Sequence, residues 1–121
     1  MTSGQSKQRA QLDSIEAQLL RRLLDRLPAV VSERSALFFT TDEFNPFALQ
    51  VPSASQELAE LAREALALRA ALGEPAEGSV GHLFRATLAE FADVNNHHRL
   101  GPGRLAERLL STLQERFVTS G

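Results

Sequence analysis

Apolar residues recur at three- and four-residue steps along most of the chain, and this spacing places side chains on one face of an α-helix. The first such stretch covers residues 8–27 and carries a regular apolar stripe: Leu12, Ile15, Leu19, Leu20, Leu23, Leu24 and Leu27. Pro28 follows directly, and a residue before proline is disfavoured in the helical conformation. We therefore predict a first long helix that ends at Pro28.

Three further helices are predicted downstream. The stretch from Ser53 to Leu72 repeats apolar residues in a heptad-like pattern, namely Leu58, Leu61, Ala65, Leu68 and Leu72. Ser79 is a favourable N-cap for the next helix, which is expected to continue through Val94, and Pro102 suits the first turn of the last helix. Short connectors join these helices, and short connectors favour antiparallel neighbours.

Residues 28–52 break the helical pattern. Four of the seven phenylalanines fall within ten positions there: Phe38, Phe39, Phe44 and Phe47. A capping pattern at Thr40 and Glu43 predicts one short turn, and Pro28 could begin another that reaches Ser35. The fold class predicted is all-α, an antiparallel bundle of about four long helices with an irregular Phe-rich crossover segment that contains one or two short helical turns.

The chain length of 121 residues fits one domain. We expect a single helical domain over residues 8–118, a disordered N-terminal tail over residues 1–7 and a short C-terminal tail over residues 119–121. No uninterrupted apolar run approaches the roughly 20 residues of a membrane-spanning helix. The sequence therefore predicts a cytoplasmic protein without a membrane segment, and the use of twelve Arg against one Lys is typical of a GC-rich bacterial gene.

Composition excludes several functional classes. The chain has no cysteine, so it can form no disulfide, thiolate nucleophile or cysteine-ligated metal site. Thirteen basic and fifteen acidic residues give a net charge of -2, which provides no global field for a polyanion and argues against nucleic acid as a partner. No serine lies in a nucleophile motif, and no pattern indicates a cofactor. We therefore predict no catalytic residue.

Charge is unevenly distributed along the chain. Residues 42–77 carry seven carboxylates against Arg63 and Arg69, whereas the flanking thirds are mildly basic. Opposite charges on different faces of one molecule can attract two copies to each other. Self-association is therefore electrostatically possible.

The clustered phenylalanines allow two interpretations. They can cover one end of the bundle as a satellite core, or they can line a groove or interface. The heptad of the second predicted helix can likewise pack within the chain or against a second copy. Our leading hypothesis is a helical protein-protein interaction module that forms a homodimer or binds another protein through Phe38, Phe39, Phe44, Phe47, Leu58, Leu61 and Leu68.

Two weaker hypotheses concern small ligands. Glu90, Asp93 and His97 share one face of the third predicted helix, where they would be simply solvated or would contribute to a divalent metal site completed by another helix. Arg99 and Arg104 flank a Gly-Pro-Gly turn at a helix start, which is either ordinary turn chemistry or an anion-binding site.

A third alternative is a DNA-binding regulator that uses the last helix for recognition. Arg104, Arg108 and Arg116 could contact phosphates, but Glu107 and Glu115 lie on the same helix and oppose a polyanion.

Overall fold

The computed structural model describes residues 3–34, 36–39, 56–93 and 101–118. These residues form four α-helices and two short turns: α1 Ser3–Glu33, α2 Gln56–Leu72, α3 Val80–Ala92, α4 Pro102–Leu113, a 3₁₀ turn Ala36–Phe39 and a π-helical turn Gln114–Val118. No strand occurs in the described ranges. The predicted all-α bundle is confirmed.

Contacts between helices define the direction of each one. Arg22 near the middle of α1 pairs with Glu57 at the start of α2, whereas Arg9 near the start of α1 pairs with Glu74 just after α2. These two helices are therefore antiparallel. The start of α4 lies against the end of α1, where a side chain at Gly103 would meet the Val31 carbonyl oxygen at 3.4 Å. With α3 packed on α2 and α4, the four helices form a bundle.

α1 is longer than predicted at both ends. It begins at Ser3, so residues 3–7, which were expected to be part of a tail, are helical. It also continues through Pro28 to Glu33. Leu27 and Val30 are buried on either side of the exposed Pro28, so burial of the continuing apolar stripe outweighs the one backbone hydrogen bond that proline removes.

α3 is shorter than predicted. It begins as expected at Ser79, whose side chain accepts a hydrogen bond from the His82 N–H. The helix ends at Ala92, and Asp93 has an extended backbone with φ -70° and ψ 104°. Val94, to which the helix was expected to extend, lies outside the described residues. Asp93 is therefore the C-cap and lies outside the helix that carries Glu90.

Within the described ranges, the buried apolar residues divide into two clusters. The main core joins all four helices and the 3₁₀ turn, with Leu19, Leu23, Phe84, Leu88 and Leu105 among its fully buried members. A satellite cluster of Leu12, Ile15 and Ala65 lies between α1 and α2 alone. The N-terminal part of α1 and the C-terminal part of α2 therefore form a two-helix hairpin that extends from the bundle.

A glycine allows α3 to approach α2 closely. A side chain at Gly81 would lie 3.1 Å from the backbone oxygen of Ala62. Gly81 is buried in the first turn of α3, directly over the middle of α2. The close contact fixes where α3 crosses the hairpin and leaves the far side of α1 and α2 uncovered by α3.

Candidate interaction surface

Phe38 and Phe39 belong to the core of the folded chain. Their side chains are 3% and 1% exposed, and the two rings meet edge to face at 5.2 Å between centroids. Phe39 also stacks on Phe91 of α3 at 5.3 Å, and Phe38 contacts Phe84 at 6.0 Å. The structure favours the interpretation of these two rings as a cover on one end of the bundle. Phe44 and Phe47 lie outside the described residues.

The apolar seam of α2 is divided between the core and the surface. Leu58 and Ala65 are fully buried, with Leu58 in the main core and Ala65 in the satellite cluster. Leu61, Leu68 and Leu72 pack on the satellite cluster from one side and stay partly exposed. Leu58, Phe38 and Phe39 therefore leave the predicted partner-binding set, because a fully buried side chain has no surface to offer a partner.

Two ion pairs define two sides of the α1–α2 hairpin. Arg69 of α2 bonds Glu16 of α1 and also donates to the Pro75 carbonyl oxygen, so this pair lies on the inner side, next to the connector that leads to α3. The other pair is Arg22 with Glu57. At about 100° per residue, Glu16 and Arg22 lie about 120° apart around α1, and Glu57 and Arg69 lie about 120° apart around α2. The second pair therefore marks the opposite, outer side of the hairpin.

The partly exposed leucines lie on this outer side. Leu61, Leu68 and Leu72 fall within about 60° of Glu57 around α2. The matching flank of α1, within about 40° of Arg22, carries Gln8, Gln11 and Gln18. We call the surface formed by these three leucines and three glutamines the outer face of the hairpin.

The outer face has no charged side chain along residues 8–18 of α1. Arg9, Asp13 and Glu16 lie elsewhere on the helix, and Gln18 bonds the neighbouring Ser14 hydroxyl at 3.3 Å. A strip of amides beside leucines is the composition of an interface core, from which charge is depleted. These glutamines were not predicted from the sequence as interface residues. The absence of charged residues from one side of the helix between Lys7 and Arg21 could have indicated them.

Charged rims border the outer face on both helices. On α2, Glu57, Glu60 and Glu64 are exposed within a sector of about 60° and form an acidic rim. On α1, a sector of about 100° contains three cations and one acid, namely Lys7, Arg21, Arg22 and Asp25, and forms a basic rim. A hydrogen bond from Arg22 and its positive charge lower the pKa of Glu57, which keeps this carboxylate ionised.

The predicted metal ligands are only partly described. Glu90 is held by Arg108 across the α3–α4 interface, and Asp93 follows the end of α3. His97 lies outside the described residues. Within the described part of the chain, no three histidine, aspartate or glutamate side chains are close enough to share an ion.

The predicted anion site corresponds to an open cleft at the start of α4. The cleft has a volume of about 370 Å³ and is lined by Val31, Arg34, Gly101, Pro102, Gly103, Arg104 and Glu107. Arg34 and Arg104 are exposed, and the carboxylate of Glu107 opposes an anion in the same lining. Arg99, the other predicted anion ligand, lies outside the described residues.

The bundle has no described helix that combines the length and the apolar character needed to cross a bilayer. In comparisons with known proteins, no family model, no curated protein and no solved structure matches this chain.

Proposed function

We propose that this protein is a helical interaction module that self-associates through the outer face of its α1–α2 hairpin. The observation that supports this proposal is the charge-free strip of α1 beside three partly exposed leucines of α2. Apolar side chains in such a strip gain about 25 cal/mol for each Å² removed from water, and the neighbouring glutamine amides can exchange hydrogen bonds across an interface.

The shape of this surface suits the helices of a second copy. Two antiparallel helices present ridges and a shallow groove, into which the ridges of another helical pair can pack. Two such hairpins, placed face to face, would form an intermolecular four-helix bundle. The satellite cluster between α1 and α2 would then lie inside four helices instead of two.

Solution mass measured by light scattering over a dilution series tests the proposal. We expect the wild-type chain to show a dimer that dissociates on dilution. Leu68→Glu places a charge in the centre of the outer face and is expected to weaken the dimer by about tenfold or more. Ala70→Glu is the matched control, because it adds the same charge on the same helix at an exposed position on the side opposite the leucines.

A second variant separates loss of the dimer from loss of the fold. Gln11 is exposed, so Gln11→Glu adds a charge to the strip without removing any core contact. We expect it to weaken the dimer while helix content, measured by circular dichroism, stays at the wild-type value. A wild-type chain that is monomeric at every concentration would contradict the proposal. The proposal would also be wrong if Gln11→Glu and Leu68→Glu each dimerised like the wild type.

A further inference from the structure

We infer that the two copies pair crosswise, with the acidic rim on α2 of each copy facing the basic rim on α1 of the other. This inference rests on the proposed self-association and names the residues that orient it. The acidic rim contributes Glu60 and Glu64, and the basic rim contributes Arg21, all of which are exposed. Because Arg22 pairs with Glu57 within each hairpin, a twofold axis along the helices brings Glu60 and Glu64 level with Arg21 of the other copy.

Charge distinguishes crossed pairing from the two like-with-like alternatives. If α2 packed on α2 of the second copy about an axis parallel to the helices, each rim of three glutamates would face an identical rim. If α1 packed on α1, the cations would face each other in the same way. Like charges brought together across an interface are unfavourable, whereas crossed pairing brings opposite charges together.

Symmetry doubles this preference. In a twofold dimer each contact between α1 and α2 of the other copy occurs twice, so every favourable or unfavourable charge pair counts twice. The lengths of the two surfaces also match. The leucines of α2 extend over residues 61–72, about 16 Å, and the charge-free strip of α1 extends over residues 8–18, about 15 Å.

Charge reversal provides the test. One variant carries Glu60→Arg with Glu64→Arg, and the other carries Arg21→Glu. Each variant alone places like charges in both contacts, and we expect its dimer to be weaker by about tenfold or more at low salt. An equimolar mixture restores opposite charges in both contacts, so a heterodimer of wild-type strength is expected, detected by light scattering with a mass-tagged copy.

A matched control changes the same amount of charge elsewhere. Glu33→Arg with Glu107→Arg alters two exposed residues at the far end of the bundle, near the junction of α1 and α4. We expect this variant to dimerise like the wild type. The differences between variants should shrink in about 0.5 M salt, because exposed charges are then screened.

The outcomes separate this inference from the proposed function. If the wild type dimerises but both rim reversals dimerise equally well, crossed pairing is wrong and the interaction module stands. If each reversal alone dimerises like the wild type while their mixture dimerises more tightly than the wild type, like helices face each other and crossed pairing is again wrong. A wild-type monomer at all concentrations overturns the proposed function and the crossed pairing with it.

Discussion

Arg69 connects three segments of the chain through one guanidinium group. Its Nε and Nη2 donate to the two carboxylate oxygens of Glu16 at 2.7 and 2.9 Å, and its Nη1 donates to the Pro75 carbonyl oxygen at 2.9 Å. The side chains of Arg69 and Glu16 are 21% and 18% exposed. The hydrogen bonds from Arg69 to the Glu16 carboxylate raise the pKa of Arg69, so this group remains charged.

Replacing Arg69 with lysine should measure how much the hydrogen bonds of its guanidinium group stabilise the fold. Arg69→Lys keeps the charge and loses the planar fork, so we expect the free energy of unfolding to fall by about 1–2 kcal/mol. Urea denaturation followed by circular dichroism measures the change. Arg63→Lys, an exposed position on the same helix, is the control and should change stability by less than about 0.5 kcal/mol. Equal effects of the two substitutions would show that the planar guanidinium group of Arg69 adds no stability beyond that of its charge.

Local chemistry predicted some single residues well and others not at all. Ser79 as an N-cap and Pro102 in the first turn of α4 follow from backbone groups within a few residues, and both are confirmed. The contact between Glu16 and Arg69 joins residues 53 positions apart. Nothing in the sequence near either residue indicates the other, because only the packing of α1 on α2 brings them together.

At the scale of elements, α1 shows how packing overrides a local signal. The apolar stripe predicted the helix correctly, and Pro28 wrongly predicted its end. Proline costs a helix interior about 3 kcal/mol. Leu27 and Val30 each bury an apolar side chain in the main core, and burying one such side chain contributes about 1.5–3 kcal/mol. The sum favours a helix that continues.

Replacing the exposed Pro28 should therefore stabilise the fold. Pro28→Ala restores a backbone donor for the Leu24 carbonyl and loses some restriction of the unfolded chain, so we expect a net gain of about 1–2 kcal/mol in stability. Chemical denaturation gives the value. Pro75→Ala, in the exposed connector, is the control and should leave stability unchanged or slightly lower. A loss of stability in Pro28→Ala would mean that the helix needs the proline geometry at this point.

At the scale of the molecule, the described residues form two apolar clusters that share α1. The satellite cluster and the main core are both built on its stripe, with Leu12 in one and Leu19 in the other. Because α1 is one continuous helix, loss of the packing contacts in one cluster weakens the helical turns that lead into the other cluster. The clusters should therefore unfold together, as the predicted single domain requires.

Substitutions in each cluster test this cooperativity. Leu12→Ala in the satellite cluster and Leu88→Ala in the main core are each expected to destabilise the chain by about 2–5 kcal/mol. Thermal unfolding at fixed concentration should show one transition in both variants, shifted to lower temperature. A separate early transition in Leu12→Ala would show instead that the hairpin is an independent unit.

The sequence by itself determined the class of fold and the bodies of the four helices, because the 3.6-residue period and the capping residues act within a few turns. It also revealed that the Phe-rich segment and the seam of α2 were either core or interface. Tertiary structure decided which of the described side chains the neighbouring helices cover: Phe38, Phe39 and Leu58 are buried, whereas Leu61 and Leu68 stay partly exposed. The physical reason is that a periodic apolar stripe indicates how much of a helix must be buried. Which part of the stripe is covered depends on where the neighbouring helices pack.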